Sequence, residues 1–165
     1  MMLSLTPTIP KLITTAALAC IAGFSPPRIH VTVVGPRDTA PAGTVLLVEG
    51  HRHVDSEPLT ITGRAEGVQN GRRVSLPLTM ASAGPGKYGV TRQWISGSPW
   101  LLILTAGQGD HGTHGIAEAL VKIDTAGEIV GIDYPAAGWI GNSETPKRTT
   151  AAEIDAVLAT LATRR

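Results

Sequence analysis

In the stretch RRVSLPLTM, residues 72–80, a large apolar residue stands at every second position from Val74 onward. Successive side chains of an extended chain point to opposite faces, so residues two apart share a face. The apolar members of this stretch all fall on one face: Val74, Leu76, Leu78 and Met80. The pattern predicts one β-strand with a packed face and a solvated face.

Two neighbouring stretches extend this interpretation. LTITGRAEG, residues 59–67, repeats the alternation and predicts that Leu59 and Ile61 are buried while Arg64 and Glu66 face outward. By contrast, WLLILT, residues 100–105, is apolar on both sides. It predicts a central strand that is covered by a second sheet on one face and by another element, such as the C-terminal tail, on the other.

Short runs rich in Val, Ile, Leu and Thr recur between the 19 glycines and 12 prolines. Such runs, separated by turn dipeptides such as Asn70-Gly71 and Ala126-Gly127, predict an all-β antiparallel sandwich over residues 28–134. We expect strands at residues 28–34, 44–54, 59–67, 72–80, 87–95, 100–106, 115–124 and 128–134.

The pattern changes after Tyr134. Residues 135–149 read as a linker, and Thr150 with Glu153 forms the capping-box spacing that opens a helix. Four apolar residues then share one stripe: Ile154, Val157, Leu158 and Leu161. We therefore predict a C-terminal α-helix over residues 150–163 that docks on the sandwich. The alternative is a helix that binds a partner or a membrane surface.

Residues 1–24 have the pattern of a secretory signal peptide. Lys11 precedes a weakly apolar run that is too short to cross a bilayer, and cleavage is expected near residues 19–24. The mature chain is then periplasmic or secreted, with no transmembrane span. Cys20, which directly follows Ala19, leaves open a second route in which this cysteine accepts a lipid anchor.

Charge and cysteine content exclude some classes of function. Of the 14 Lys and Arg residues, Lys11 lies in the leader, and the remaining 13 balance the 13 Asp and Glu residues. A chain without net positive charge or a long cationic run is not expected to bind nucleic acid. With a single cysteine it forms no internal disulfide.

Four of the five histidines are candidate metal ligands. His51 and His53, in EGHRHVDSE, point to the same face of a strand, together with Glu49 and Asp55. Two imidazoles at this spacing can reach one ion, and His111 and His114 in DHGTHG could complete a four-histidine site for copper or zinc. The alternative is that these histidines are solvated and incidental. His30 is expected to be isolated, in a structural or exposed position.

Catalysis finds no support in the sequence. DHGTHGIAEA resembles the catalytic-histidine segment of subtilisin-type serine proteases, in which His111 would be the general base. That mechanism also needs an aspartate and a serine in their own conserved turns, and the chain has neither. We expect that the protein is not an enzyme.

A broader resemblance concerns the fold. The order GRRVSLPLTM, GPGKYGVTRQW and SPWLLILT, within residues 44–107, is similar to small bacterial envelope domains of the FixH/YtkA-like and CopC-like immunoglobulin-type sandwiches. The resemblance implies an immunoglobulin-like antiparallel β-sandwich that follows an N-terminal signal peptide and precedes the C-terminal α-helix. Some members of these families handle copper, which fits His51 and His53.

These observations lead to two functional expectations. The first is an exported, non-catalytic binding, accessory or structural module of the cell envelope, whose partner is another envelope protein. The second is a periplasmic copper- or zinc-binding module that uses the paired histidines.

Overall fold

The computed structural model describes residues 27–52, 57–107, 116–135, 138–140, 143–145 and 148–164. The predicted signal peptide, residues 1–24 with Cys20, lies outside these ranges. The described chain is mostly β, with two larger antiparallel sheets and one C-terminal helix. The fold class predicted from the sequence is confirmed at this level.

The strands, in chain order, are β1 (Arg28–Val33), β2 (Thr44–Arg52), β3 (Glu57–Pro58), β4 (Ile61–Gln69), β5 (Arg72–Pro77), β6 (Met80–Gly84), β7 (Lys87–Thr91), β8 (Trp100–Ala106), β9 (Ala117–Ile123), β10 (Ile129–Asp133), β11 (Gly138–Ile140) and β12 (Ser143–Thr145). The helix α1 spans Ala151–Thr163. Strands β11 and β12 form a short hairpin within the segment predicted as a linker.

Sheet A has the strand order β1-β2-β7-β6, and β3 pairs with the end of β2. Sheet B has the order β10-β9-β8-β4-β5. All pairs are antiparallel. The main apolar cluster joins residues of both sheets, so the two sheets pack face to face.

The hairpin between β4 and β5 forms where the sequence predicts it. Asn70 and Gly71 both have positive φ, 51° and 72°. Two consecutive left-handed residues make a type I′ turn, whose twist matches that of the flanking strands. Register then runs without interruption from the Gln69–Arg72 pair to the Arg64–Pro77 pair.

The predicted strand over residues 72–80 is wrong in one respect, because it divides into two strands in different sheets. β5 ends at Pro77, which lacks an amide hydrogen, and β6 begins at Met80 in sheet A. Leu78 is buried at the crossing between the sheets. Leu76 was predicted on a packed face but is 38% exposed, because β5 is the edge strand of sheet B.

The prediction that β8 is covered on both faces is confirmed. Trp100, Leu102 and Leu104 belong to the cluster between the sheets. Leu101 and Ile103 instead contact α1 in a second cluster. Helix packing on sheet B therefore buries the face that sheet A does not reach.

Helix α1 begins as the sequence predicts. The Thr150 hydroxyl accepts a hydrogen bond from the Glu153 amide, and the Glu153 carboxylate accepts one from the Thr150 amide. Ile154 and Leu158 pack against sheet B, and Leu161 is also buried. In the described part of the chain, no helix is long and apolar enough to cross a membrane.

Candidate functional site

His51 lies near the end of β2, on the outer face of sheet A. Leu46, Val48 and Gly50 of β2 are buried, so the residues that alternate with them, including Glu49 and His51, point away from the core. The shared face predicted for Glu49 and His51 is thus observed. His53 and Asp55, which the sequence placed in the same row, lie outside the described residues.

The pairing of β1 with β2 adds a second histidine to this face. Arg28 lies opposite His51, and His30 lies opposite Glu49. His30 is therefore the diagonal cross-strand neighbour of His51, a relation that places Cα atoms about 7–8 Å apart. The expectation that His30 is isolated is corrected, because strand register brings two sequence-distant histidines onto one surface.

Glu49 has a partner other than a histidine. The Lys87 Nζ donates to the Glu49 Oε1 at 2.8 Å across the β2–β7 pair. Within the described ranges, no group of three or more His, Cys, Asp or Glu residues lies close enough to hold a metal ion. The outer face of sheet A thus presents two histidines and a carboxylate that is already bound to a lysine.

His111 and His114 lie outside the described residues, but the chain on either side of them is placed. Ala106 ends β8 and pairs with Ala117, the first residue of β9. A Cβ built on Gly50 would lie 3.2 Å from the Ala106 Cβ, so Gly50 and Ala106 are neighbours across the core. The segment that carries His111 and His114 therefore starts and ends at the same end of the sandwich as His51.

A different cluster of ionisable groups surrounds Glu66, on the helix-covered face of sheet B. Glu66 is 4% exposed, and its carboxylate accepts hydrogen bonds from Arg64 Nε at 2.9 Å, Arg73 Nε at 3.1 Å and Ser75 Oγ at 3.0 Å. Arg73 also donates to the Asp155 carboxylate of α1 at 3.1 Å. This network joins β4, β5 and α1.

Two opposing effects act on the Glu66 carboxyl. Burial raises its pKa because the charged form loses hydration. Hydrogen bonds from Arg73, Ser75 and Arg64, together with the charge of Arg73, outweigh that effect and hold the pKa below its usual value. Glu66 therefore remains ionised and serves as an acceptor for these donors.

Glu118 is the second buried carboxylate, at 6% exposure, and it plays a similar part beside the start of α1. Its Oε2 accepts from the Thr149 amide at 2.8 Å and from the Thr149 hydroxyl at 2.9 Å. The sequence pattern identified the outward face for Glu66 but not its burial. No local signal indicates which outward face a distant helix will cover.

Comparison with known proteins adds no further constraint on the site. No protein-family model matches the chain, and neither a curated protein nor a solved structure matches it. The resemblance to the FixH/YtkA-like and CopC-like domains stays a prediction from sequence.

Proposed function

We propose that the protein is an exported, non-catalytic binding or accessory module of the cell envelope. The main support for a non-catalytic role is that the buried ionisable side chains form hydrogen bonds within the fold. Glu66 and Glu118, the two buried carboxylates among the described residues, direct their oxygens to groups that hold β5 and α1 in place. A general acid or base must instead direct its carboxyl group toward a substrate.

The proposed site of action is the periplasm or the extracellular space, as the leader pattern of residues 1–24 indicates. Expression of the full chain in a bacterial host, followed by cell fractionation and intact-mass measurement, tests this. We expect a mature form cleaved near residues 19–24 outside the cytoplasm. Leu18→Arg, which interrupts the apolar run of the leader, should leave an uncleaved precursor inside the cell.

The same experiment separates the two fates of Cys20. A lipid anchor would add the mass of a diacylglyceryl group, and Cys20→Ala would abolish it. Simple cleavage would give an unmodified mass in both proteins. An uncleaved wild-type chain in the cytoplasm would overturn the proposed location and, with it, the envelope role.

The second candidate is a copper- or zinc-binding module centred on His51. The observation that favours it is the diagonal placement of His30 beside His51 on the outer face of sheet A. His53, His111 and His114 remain proposed ligands with them. Because Lys87 already binds Glu49, a metal ion would have to displace that ion pair before Glu49 could serve as a ligand.

Titration of the purified protein with Cu(II) and Zn(II) tests this candidate. We expect weaker binding in His51→Ala/His53→Ala and in His30→Ala. Thr32→Ala is the matched control, because Thr32 is exposed and shares the outer face of β1 with His30. Unchanged affinity in both histidine variants would exclude these residues as ligands.

A further inference from the structure

The edge strands of sheets A and B differ in whether their outward backbone groups are free to pair with another strand. At β1, the edge of sheet A, the Val31 amide donates to the Tyr134 hydroxyl at 3.1 Å. A side chain thereby occupies a backbone donor that a further strand would need. The edge strand β10 carries a register shift between Ile129 and Gly131, which interrupts regular pairing.

The other two edge strands, β5 and β6, follow one another in the chain. β6 has five residues and a register shift between Ser82 and Gly84. β5 pairs with β4 over six consecutive residues without a shift, and no described strand pairs with its other side. Among the four edge strands of sheets A and B, β5 is the one that combines a regular register with no described hydrogen bond between its outward amides and a side chain.

The β4–β5 hairpin geometry fixes which of these groups point outward. In a two-residue hairpin, the residues that flank the turn form a hydrogen-bonded pair, and bonded and non-bonded pairs alternate from there. Arg72, Val74 and Leu76 therefore bond to β4. Arg73 and Ser75 direct their amide and carbonyl groups away from the sheet. Pro77 directs only its carbonyl outward because it has no amide hydrogen, so the row of outward donors ends at Ser75.

The side chains of β5 determine which residues a segment paired with this edge would need. Leu76 is 38% exposed and Val74 is partly buried, and both lie on the core-facing side of β5. Arg72 is exposed on the same side, and none of the described residues forms an ion pair with it. Arg73 on the other side is bound to Glu66 and Asp155.

We propose that β5 is a docking strand for an extended segment of a partner protein. The segment adds to sheet B through the outward backbone groups of Arg73 and Ser75. It carries apolar side chains at alternate positions to cover Val74 and Leu76, and an acidic side chain that pairs with Arg72. This inference rests on the proposed binding function and names the surface and the chemistry of the partner.

A displayed library of random octapeptides, selected on the purified protein, is the test. Enriched peptides should alternate apolar residues and carry Asp or Glu toward one end. Ser75→Pro should weaken their binding by about tenfold or more, because it removes an outward amide donor. Ser75→Ala is the matched control, since it loses the same hydroxyl contact with Glu66 but keeps the amide.

A modified peptide and a second variant keep the test decisive if Ser75→Pro does not fold. Methylation of alternate peptide amides should abolish binding to the wild-type protein, and Arg72→Glu should shift selection from acidic to basic residues. Failure to enrich any peptide, or equal affinity for the Ser75→Pro and Ser75→Ala variants, would overturn the β5 site. Export and cleavage of the leader would be unaffected by that failure, so the two proposals fail independently.

Discussion

Glu66 is the residue at which β4, β5 and α1 are joined electrostatically. Its carboxylate has two acceptor oxygens and no donor, so it accepts hydrogen bonds from three donors at once. We predict that Glu66→Gln lowers the free energy of unfolding by about 1–3 kcal/mol, because an amide accepts through one oxygen only and presents its NH₂ to other donors. Urea unfolding measures this loss. The control, Glu128→Gln, removes an exposed pair with Arg92 and should change stability by less than about 1 kcal/mol.

The same carboxylate gives the stability a pH dependence of known sign. The pKa of Glu66 is lowered in the folded protein, so its contribution is complete above the pKa of an unfolded-state glutamate, about 4.3. It is lost as pH falls through the lower, folded-state pKa. The stability difference between wild type and Glu66→Gln should therefore shrink as the pH is lowered from above about 4.3 to below the folded-state pKa of Glu66. A difference that stays constant over this range would contradict the assignment.

Gly67 is required by a close contact. A Cβ built at this position would lie 2.5 Å from Cε3 of Trp100, which is fully buried. We predict that Gly67→Ala displaces the indole ring and costs about 1–3 kcal/mol, with a change in tryptophan fluorescence. Gly131→Ala is the control, since its Cβ would meet only the Lys122 side chain at 3.7 Å. An equal loss in both variants would show that backbone entropy, not the indole contact, determines the effect.

Among the elements, helix α1 has the clearest sequence signal and a direct test. Thr150→Ala removes one half of the capping box and should cost about 0.5–2 kcal/mol. Amide exchange in the first turn should accelerate at the same time. Thr160→Ala, in the last turn of the helix, should be neutral or slightly stabilising because alanine is the better helix former. Equal destabilisation by the two substitutions would argue against a capping role.

Local features of the elements were predictable from sequence where their cause is local. The turn at Asn70-Gly71, the apolar strand from Trp100 and the cap at Thr150 each depend on neighbouring residues alone. The division at Pro77 was missed because alternation continues through it, while the chain changes sheets. The placement of His30 beside His51 depends on the register between two strands joined by residues 34–43, and no short motif specifies that register.

For the candidate site, the sequence predicted the outward row of Glu49 and His51 but not the Lys87 that pairs with Glu49. It also missed the role of Ser75 and Arg73 as outward backbone groups on an open edge. Residue type does not distinguish an edge strand from a central one. Edge position follows from the order of all strands in the sheet, which is a property of the whole fold.

At the scale of the whole molecule, α1 acts as the third layer of the fold. Without it, the outer face of sheet B would expose three buried apolar residues: Leu101, Ile103 and Leu120. Removal of Thr149 together with the helix would also take away both hydrogen bonds that the Glu118 carboxylate accepts from this residue. Water would take the place of these donors on the exposed face, so loss of apolar burial is the larger effect.

We therefore predict that deletion of residues 149–165 yields a chain that binds the dye ANS and melts at a markedly lower temperature than the intact protein. Deletion of residues 164–165 alone is the matched control and should leave the melting temperature nearly unchanged, because α1 ends at Thr163. Leu158→Ala in the full-length chain should fall between the two, with a loss of about 2–5 kcal/mol from the cavity beneath the helix. If the chain without α1 melted like the control and bound no dye, sheets A and B would form a complete domain by themselves. The helix would then be an appendage available for a partner rather than the layer that closes the fold.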